Sequence, residues 1–170
     1  MRVLFRRLGV ILLATAPFVT QAEPAFAQER PRPVIDIAAG TYLFPDDGEL
    51  VQEGFFGVAG RFYLMPRLSI GPEVAVVAGN NHRHVILTGN LTFDFLDPGR
   101  RWTPFVVVGG GLYSTREDLL DRGTFTSREG AFTLGGGVRG RVNDRISVGA
   151  EARIGWEAHL RVNGFVGVGL

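Results

Sequence analysis

Hydrophobic and polar residues alternate through most of the chain after residue 33, and this period of two constrains the fold more than any other feature. Side chains of a β-strand point alternately to its two faces. In the segment 146–155, Ile146, Val148 and Ile154 therefore lie on one face, whereas Glu151 and Arg153 lie on the other. No segment shows the 3.6-residue period of an amphipathic helix. We expect an all-β protein.

Eight segments alternate in this way, and each has roughly the 9–11 residues that a tilted strand needs to cross a bilayer. In the fifth segment both faces are apolar, and we assign Val106, Val108 and Leu112 to the outer face. The pattern predicts one barrel domain over residues 34–170. The eight segments cover residues 34–44, 54–64, 68–76, 85–95, 102–114, 131–141, 146–155 and 160–170.

Alternation alone fits two kinds of barrel. A lipocalin-like barrel turns its apolar face inward and its polar face to water, whereas a membrane barrel turns its apolar face to lipid. Here the polar faces are rich in Gly and Ala with single charged residues between them, and the apolar faces carry no charged residue. Glycine weakens a solvent-facing strand, but it suits a narrow lumen that large side chains must fill. The composition favours the membrane barrel.

Nine charged side chains share the inward face under this interpretation. We expect them to form a paired network that fills the lumen, because the interior of an eight-stranded barrel is only just wide enough for side chains and buried charges need partners. A gate or an ion path is the alternative role. The nine residues are Asp36, Arg61, Glu73, Asp94, Arg139, Arg141, Glu151, Arg153 and Arg161.

The first 27 residues have the features of a cleaved secretory signal peptide. A charged start with Arg2, Arg6 and Arg7 precedes an apolar run at 8–16, and Ala25-Phe26-Ala27 forms a small-x-small cleavage site. We expect the mature chain to begin near Gln28, with a short leader at 28–33. It would carry 15 arginines against 16 acidic residues, a net charge of −1, which gives no indication of nucleic-acid binding.

Two missing residue types exclude several kinds of chemistry. The chain has no cysteine, so it can form neither a disulfide nor a thiolate metal site. It has no lysine either, which excludes a P-loop and Schiff-base catalysis. His82 and His84 form a pair without a further metal ligand nearby, and we expect them to stay solvated. No cofactor and no metal site are predicted.

The connections between the eight segments alternate in length. Those at 65–67, 96–101 and 143–145 are short, whereas those at 45–53, 79–83 and 115–129 are longer; the final one, at 157–159, is short. Short periplasmic turns and longer extracellular loops are typical of outer-membrane barrels. We expect 115–129 to be exposed, mobile and the segment that contacts partners, through Arg116, Glu117, Asp118, Asp121, Arg122 and Arg128.

Aromatic residues gather toward the ends of the segments, where a membrane barrel carries its interfacial belts. The candidates are Tyr42, Phe44, Phe62, Tyr63, Trp102, Tyr113 and Trp156.

Together, the export signal, the eight alternating segments, "TPFVVVGGGLY" and "VGAEARIGWE" resemble the small outer-membrane β-barrel proteins of Gram-negative bacteria, the OmpA-type and OmpX-type barrels. The resemblance covers almost the whole expected mature chain. It implies an eight-stranded antiparallel up-and-down transmembrane β-barrel in the outer membrane. It also implies a monomer whose partners are outer-membrane lipid and lipopolysaccharide, and the barrel-assembly machinery during biogenesis.

The chain departs from this family at its last residue, because such barrels usually end in an aromatic residue and this sequence ends in Leu170. That difference bears on recognition by the barrel-assembly machinery. No peptidoglycan-binding domain follows the barrel in this sequence, so we do not expect the tethering role of full-length OmpA-type proteins.

Two functions from different classes fit the resemblance. One is a non-enzymatic structural or surface-interaction barrel with a packed lumen and no large pore. The other is an enzyme that modifies lipid A, a deacylase or acyltransferase, which needs a nucleophile and a base within hydrogen-bond reach. The deacylase pattern places His and Ser two residues apart on one strand, but His159 is followed by Leu160 and Arg161. We therefore expect the non-enzymatic role.

Overall fold

A computed structural model describes residues 31–46, 48–79, 82–97, 99–119, 123–155 and 158–170. The signal peptide expected at 1–27 lies outside these residues, and so do positions 28–30 of the expected leader. The described chain forms a closed barrel of eight strands in sequence order. The strands are β1 (Val34–Asp46), β2 (Glu49–Met65), β3 (Leu68–Ala78), β4 (His82–Asp94), β5 (Trp102–Leu119), β6 (Gly123–Arg141), β7 (Ile146–Gly155) and β8 (His159–Gly169).

Antiparallel pairing of β1 with β8 closes the barrel, in a register that runs from Val34 opposite Gly169 to Leu43 opposite Leu160. The Leu170 N–H adds a hydrogen bond of 2.9 Å to the carbonyl of Pro33. All the other pairs join neighbouring strands in antiparallel order. This confirms the predicted all-β, eight-stranded antiparallel up-and-down barrel. Within the described residues, no helix is long and apolar enough to cross a bilayer.

The exterior of the barrel is apolar and its interior is polar, as the alternation predicts. Large hydrophobic side chains cover the outside; Phe56 is 54% exposed and Val166 is 46% exposed. In the ambiguous fifth segment the two faces are as predicted: Val106 and Val108 lie outside, and Phe105 and Val107 are buried inside. A soluble barrel would bury the apolar face instead.

The two ends of the barrel differ. At one end, here called the turn end, lie the β2–β3, β4–β5 and β6–β7 connections, the start of β1 and the end of β8. At the other, here called the hairpin end, β6 continues from Phe132 back to Gly123 beyond its last pair with β7, which joins Thr133 to Gly155. The β5–β6 hairpin therefore extends past the barrel wall.

The predicted long loops at 45–53 and 115–129 are largely wrong. Residues 49–53 pair with 42–46, and β5 and β6 stay in register as far as Leu119 opposite Gly123. The charged composition of these segments favours loops in isolation, but each strand offers its neighbour backbone partners that override this local preference. The ends of the barrel thus differ in strand extension, whereas the longest connection, at 95–101, lies at the turn end.

The predicted aromatic belts are wrong for four residues. Tyr42, Phe44, Tyr63 and Tyr113 face the lumen, because each shares the parity of the inward residues on its strand. Phe62 and Trp102 do lie on the exterior and are 50% and 57% exposed. Trp156 lies outside the described residues.

Candidate functional site: the barrel lumen

Four charged side chains from three strands form a closed ring at the centre of the lumen. Glu151 accepts hydrogen bonds from Arg153 Nε at 2.6 Å and from Arg161 Nη2 at 2.8 Å. Glu73 pairs with the same two guanidinium groups, at 3.0 Å from Arg153 Nη1 and in closer contact with Arg161. All four residues are at least 92% buried. Each carboxylate therefore has two cationic partners, and the ring is neutral.

Asn90 on β4, the strand next to β3, also bonds to this ring. Its amide nitrogen donates to Glu73 Oε2 at 2.5 Å, and its amide oxygen accepts from Arg153 Nη1 at 3.2 Å. A neutral side chain that donates and accepts at once can satisfy both charges of the ring.

Two further ion pairs lie between the ring and the turn end. Arg61 pairs with Asp36 across β1 and β2, and its Nη1 also donates to the hydroxyl of Tyr63 at 2.8 Å. Arg139 pairs with Asp94 at 2.9 Å, and its guanidinium lies 4.7 Å from the centre of the Phe105 ring. Eight of the nine residues predicted to face the lumen are thus in buried or part-buried ion pairs.

Arg141 is the ninth predicted residue, and the structure places it outside this network. It is the last residue of β6 and is exposed at the turn end, where its guanidinium donates to the carbonyl of Gly99 at 2.9 Å. Its parity is inward, as expected, but its height along the barrel axis places it beyond the lumen.

An apolar layer separates the ion pairs from the hairpin end. Phe55, Ala75, Val77 and Ile86 are each at least 96% buried, and they pack together with Tyr42. These side chains come from β1 to β4 and fill that side of the lumen between the ion pairs and the hairpin end.

Beyond this layer lies a cluster of histidine and tyrosine side chains that was not predicted from the sequence. His159 stacks on Tyr42 with ring centres 4.5 Å apart, and His84 stacks on Tyr113 at 5.1 Å. Glu53 lies 3.9 Å from His84 Nε2. The expectation that His84 stays solvated is wrong, because β4 begins at His82 and His84 shares the inward parity of Ile86. Extending the predicted segment 85–95 by one residue would have found it.

Glycines beside the aromatic rings explain how the lumen is filled. A Cβ at Gly149 would lie 2.4 Å from the ring of Phe165, and one at Gly137 would lie 2.9 Å from the ring of Phe105. Both rings therefore lie directly over glycine backbone. The central internal cavity is only about 40 Å³.

The described lumen holds no group of three or more His, Asp or Glu residues arranged to bind a metal ion. The predicted surface contacts are dispersed: positions 116–118 lie on β5, and Arg128 is exposed on β6. Asp121 and Arg122 lie outside the described residues.

No family model and no curated protein matches the chain. Among solved structures, Neisserial surface protein A (NspA) has a TM-score of 0.71 at 12% identity, over 81% of this chain and 97% of that one. The N-terminal β-barrel domain of Pseudomonas aeruginosa OprF has a TM-score of 0.62 at 12% identity, over 81% and 97%. The outer membrane enzyme PagL has a TM-score of 0.50 at 14% identity, over 81% and 99%. The apolar exterior, the filled polar lumen and these likenesses together assign to the chain the fold of the small eight-stranded outer-membrane β-barrels.

Proposed function

We propose that this chain is an integral outer-membrane β-barrel protein of a Gram-negative bacterium with a structural or surface-interaction role and no enzymatic activity. The neutral ring of Glu73, Glu151, Arg153 and Arg161 is the observation that carries the proposal. The ring occupies the place where a porin would hold water. It therefore supports a barrel with a filled lumen better than a barrel with a water-filled channel.

The exterior supports insertion into a bilayer. Its strands present large hydrophobic side chains all round the barrel, and an exposed apolar surface of this extent is unstable in water. In a bilayer the same apolar surface contacts lipid acyl chains, and barrel closure leaves no unpaired strand edge in the hydrocarbon. Outer-membrane lipid and lipopolysaccharide are then the expected partners, and the barrel-assembly machinery inserts the exported chain as a monomer.

Cell fractionation tests the location. The full chain, expressed with its N-terminal segment, should be recovered from outer-membrane fractions and should migrate differently on gels before and after heating. Recovery as a soluble periplasmic protein would overturn the membrane assignment.

A lipid A-modifying enzyme is the second candidate, because the outer membrane enzyme PagL has a similar fold. Acyl-chain chemistry requires a nucleophile and a base where they can reach lipid. His84 and His159, the histidines whose side chains are described, both lie inside the lumen. This placement supports the non-enzymatic role.

Mass spectrometry of lipid A separates the two candidates. Cells with and without the protein should have the same lipid A acylation pattern. A missing or added acyl chain that depends on the protein would favour the enzyme.

A further inference from the structure

A second, larger cavity opens where the lumen meets the turn end. Its volume is about 660 Å³, and charged side chains dominate its polar lining. Two of them are acidic, Asp94 and Asp144. The other six are arginines: Arg32, Arg61, Arg100, Arg139, Arg141 and Arg145. This cavity is here called the vestibule.

The arginines of the vestibule fall into two groups. Arg61 and Arg139, at its inner end, are neutralised by Asp36 and Asp94. Within the described part of the chain, Arg32, Arg100 and Arg145 form no ion pair, and Arg141 bonds only to the neutral carbonyl of Gly99. The rim of the vestibule therefore has positive charge that Asp144 alone does not balance.

Hydrogen bonds fix the turns that carry the rim arginines, and one also holds the Arg141 side chain. Asn143 Oδ1 accepts from the backbone N–H groups of Arg145 and Ile146, at 2.8 and 2.7 Å, which fixes the turn that carries Arg145. The backbone N–H of Arg141 donates to the carbonyl of Arg101 at 2.9 Å. Together with the bond from the Arg141 side chain to Gly99, this ties the β6–β7 turn to the connection that carries Arg100. These bonds hold the backbone that carries the three arginines at one end of the barrel.

Charge is also divided along the barrel axis. At the turn end, the described residues outside the lumen include six arginines, 32, 67, 100, 101, 141 and 145, against Asp97 and Asp144. At the hairpin end, the described positions outside the lumen carry five acidic residues, 46, 49, 117, 118 and 129, against arginines at 83, 116 and 128. A field of this direction draws anions to the turn end and repels them from the other end.

We propose that the vestibule binds a phosphate-bearing anion, with Arg100, Arg141 and Arg145 as its guanidinium donors. The planar guanidinium group matches the oxygens of a phosphate with two parallel hydrogen bonds, and three such groups around one cavity can satisfy a phosphate from several sides. The phosphate belongs either to a free solute or to a lipid headgroup at the rim of the barrel. The proposed site does not require the turn end to face a particular side of the membrane.

Binding to the full chain in a zwitterionic detergent tests the proposal. Glycerol 3-phosphate is the soluble probe and glycerol is its uncharged control. For the lipid source, the same protein is placed in phosphatidylcholine nanodiscs with and without phosphatidylglycerol. A ligand that binds only the folded state raises the unfolding temperature, so thermal unfolding is the readout in both arms.

Arg101→Gln supplies the matched control for Arg100→Gln. Arg101 is exposed and adjacent in sequence, but it lies outside the vestibule. We expect Arg100→Gln, Arg141→Gln and Arg145→Gln each to weaken the affinity for the phosphate probe about tenfold, because each removes charge-assisted hydrogen bonds. The affinity is obtained from the dependence of the unfolding temperature on probe concentration. Arg101→Gln should leave the response unchanged, and Arg145→Lys, which keeps the charge without the fork, should retain part of it.

A stabilisation by glycerol 3-phosphate that the vestibule variants lose supports a free solute. One that appears only with phosphatidylglycerol, and that the same variants lose, supports a lipid headgroup. Equal losses in Arg101→Gln and Arg100→Gln would overturn the proposal in favour of diffuse surface charge. So would the absence of any phosphate-dependent change in either arm, with each variant first shown to fold by its heat-modifiable gel mobility.

Discussion

At the scale of single residues, burial decides what an ion pair contributes. Glu151 is 8% exposed and has two guanidinium partners, whereas Asp97 pairs with Arg67 at the surface, where its side chain is 58% exposed. Water can replace a partner at the surface. In the lumen, removing Glu151 leaves Arg153 and Arg161 with Glu73 as their only carboxylate in the ring, and so leaves one positive charge unbalanced in a buried place.

Glu151→Ala should therefore destabilise the barrel by roughly 3–5 kcal/mol, because Arg153 and Arg161 lose a shared carboxylate in a dry environment. Asp97→Ala is the matched control and should cost about 0–1 kcal/mol, as expected for a surface pair. Urea unfolding of both variants in the same lipid or detergent measures the difference. Equal, small effects would mean that water solvates the centre of the lumen.

At the scale of strands, the position of a residue in the two-residue alternation decides whether its side chain faces outward or into the lumen. On β8, Val162 and Val166 face outward, and Arg161 and Phe165 face inward. A shift of one residue in register would exchange the two sets. Since this would place arginine in the hydrocarbon and valine among the lumen charges, the register of β8 is strongly specified by its sequence.

Val166→Arg tests the contact with lipid. It should cost about 2–4 kcal/mol if the position lies near the middle of the bilayer. Val166→Ala, which only shortens the side chain, should cost roughly 1 kcal/mol. Unfolding of the two variants in liposomes supplies the comparison. Equal tolerance of arginine and alanine would contradict a lipid-facing exterior.

The β5–β6 hairpin is the strand pair that extends farthest beyond the barrel wall. Exposed extensions of this kind carry binding functions on many scaffolds. An epitope inserted near Gly123 should be labelled by antibody on intact cells if the hairpin end faces outward. Labelling only after permeabilisation of the outer membrane would show that the hairpin end faces the periplasm instead.

At the scale of the whole molecule, barrel closure and the filling of the lumen bear on whether the barrel can conduct. Eight strands enclose a lumen that the central charged ring, the Phe105 and Phe165 rings and the apolar layer around Val77 fill between them. The vestibule lies outside this plug, at the turn end. Within the described residues, the molecule is thus a barrel with a filled centre and a charged opening at its turn end.

The purified protein in a planar bilayer should form no large, steady, water-filled channel, because side chains meet across the axis at several levels. Single-channel recording measures this directly, with a porin as the positive control. A stable conductance of porin size in the wild-type protein would refute the packed lumen.

The sequence by itself determined the strand number, the two faces of each strand and the charges available to the lumen. These features follow from a period of two, which is local and survives without tertiary contacts. Parity alone is enough to place Glu151 and Arg153 on the inward face of β7. Tyr42 and Tyr113 also face inward by this alternation, and the belt prediction was wrong for them because it relied on aromatic residues near strand ends instead.

The tertiary structure alone decided which charges pair and where each strand ends. Arg161 and Glu73 are 88 residues apart in sequence, and Arg139 and Asp94 are 45 apart, so their contacts depend on barrel closure and on the stagger between strands. Pairing of β1 with β2 and of β5 with β6 gives 45–46, 49–53 and 115–119 partner strands and makes them sheet. Arg141 and His84 show the physical reason: parity fixes the direction of a side chain, but height along the axis, which places Arg141 in the vestibule and buries His84, exists only once all eight strands are in register.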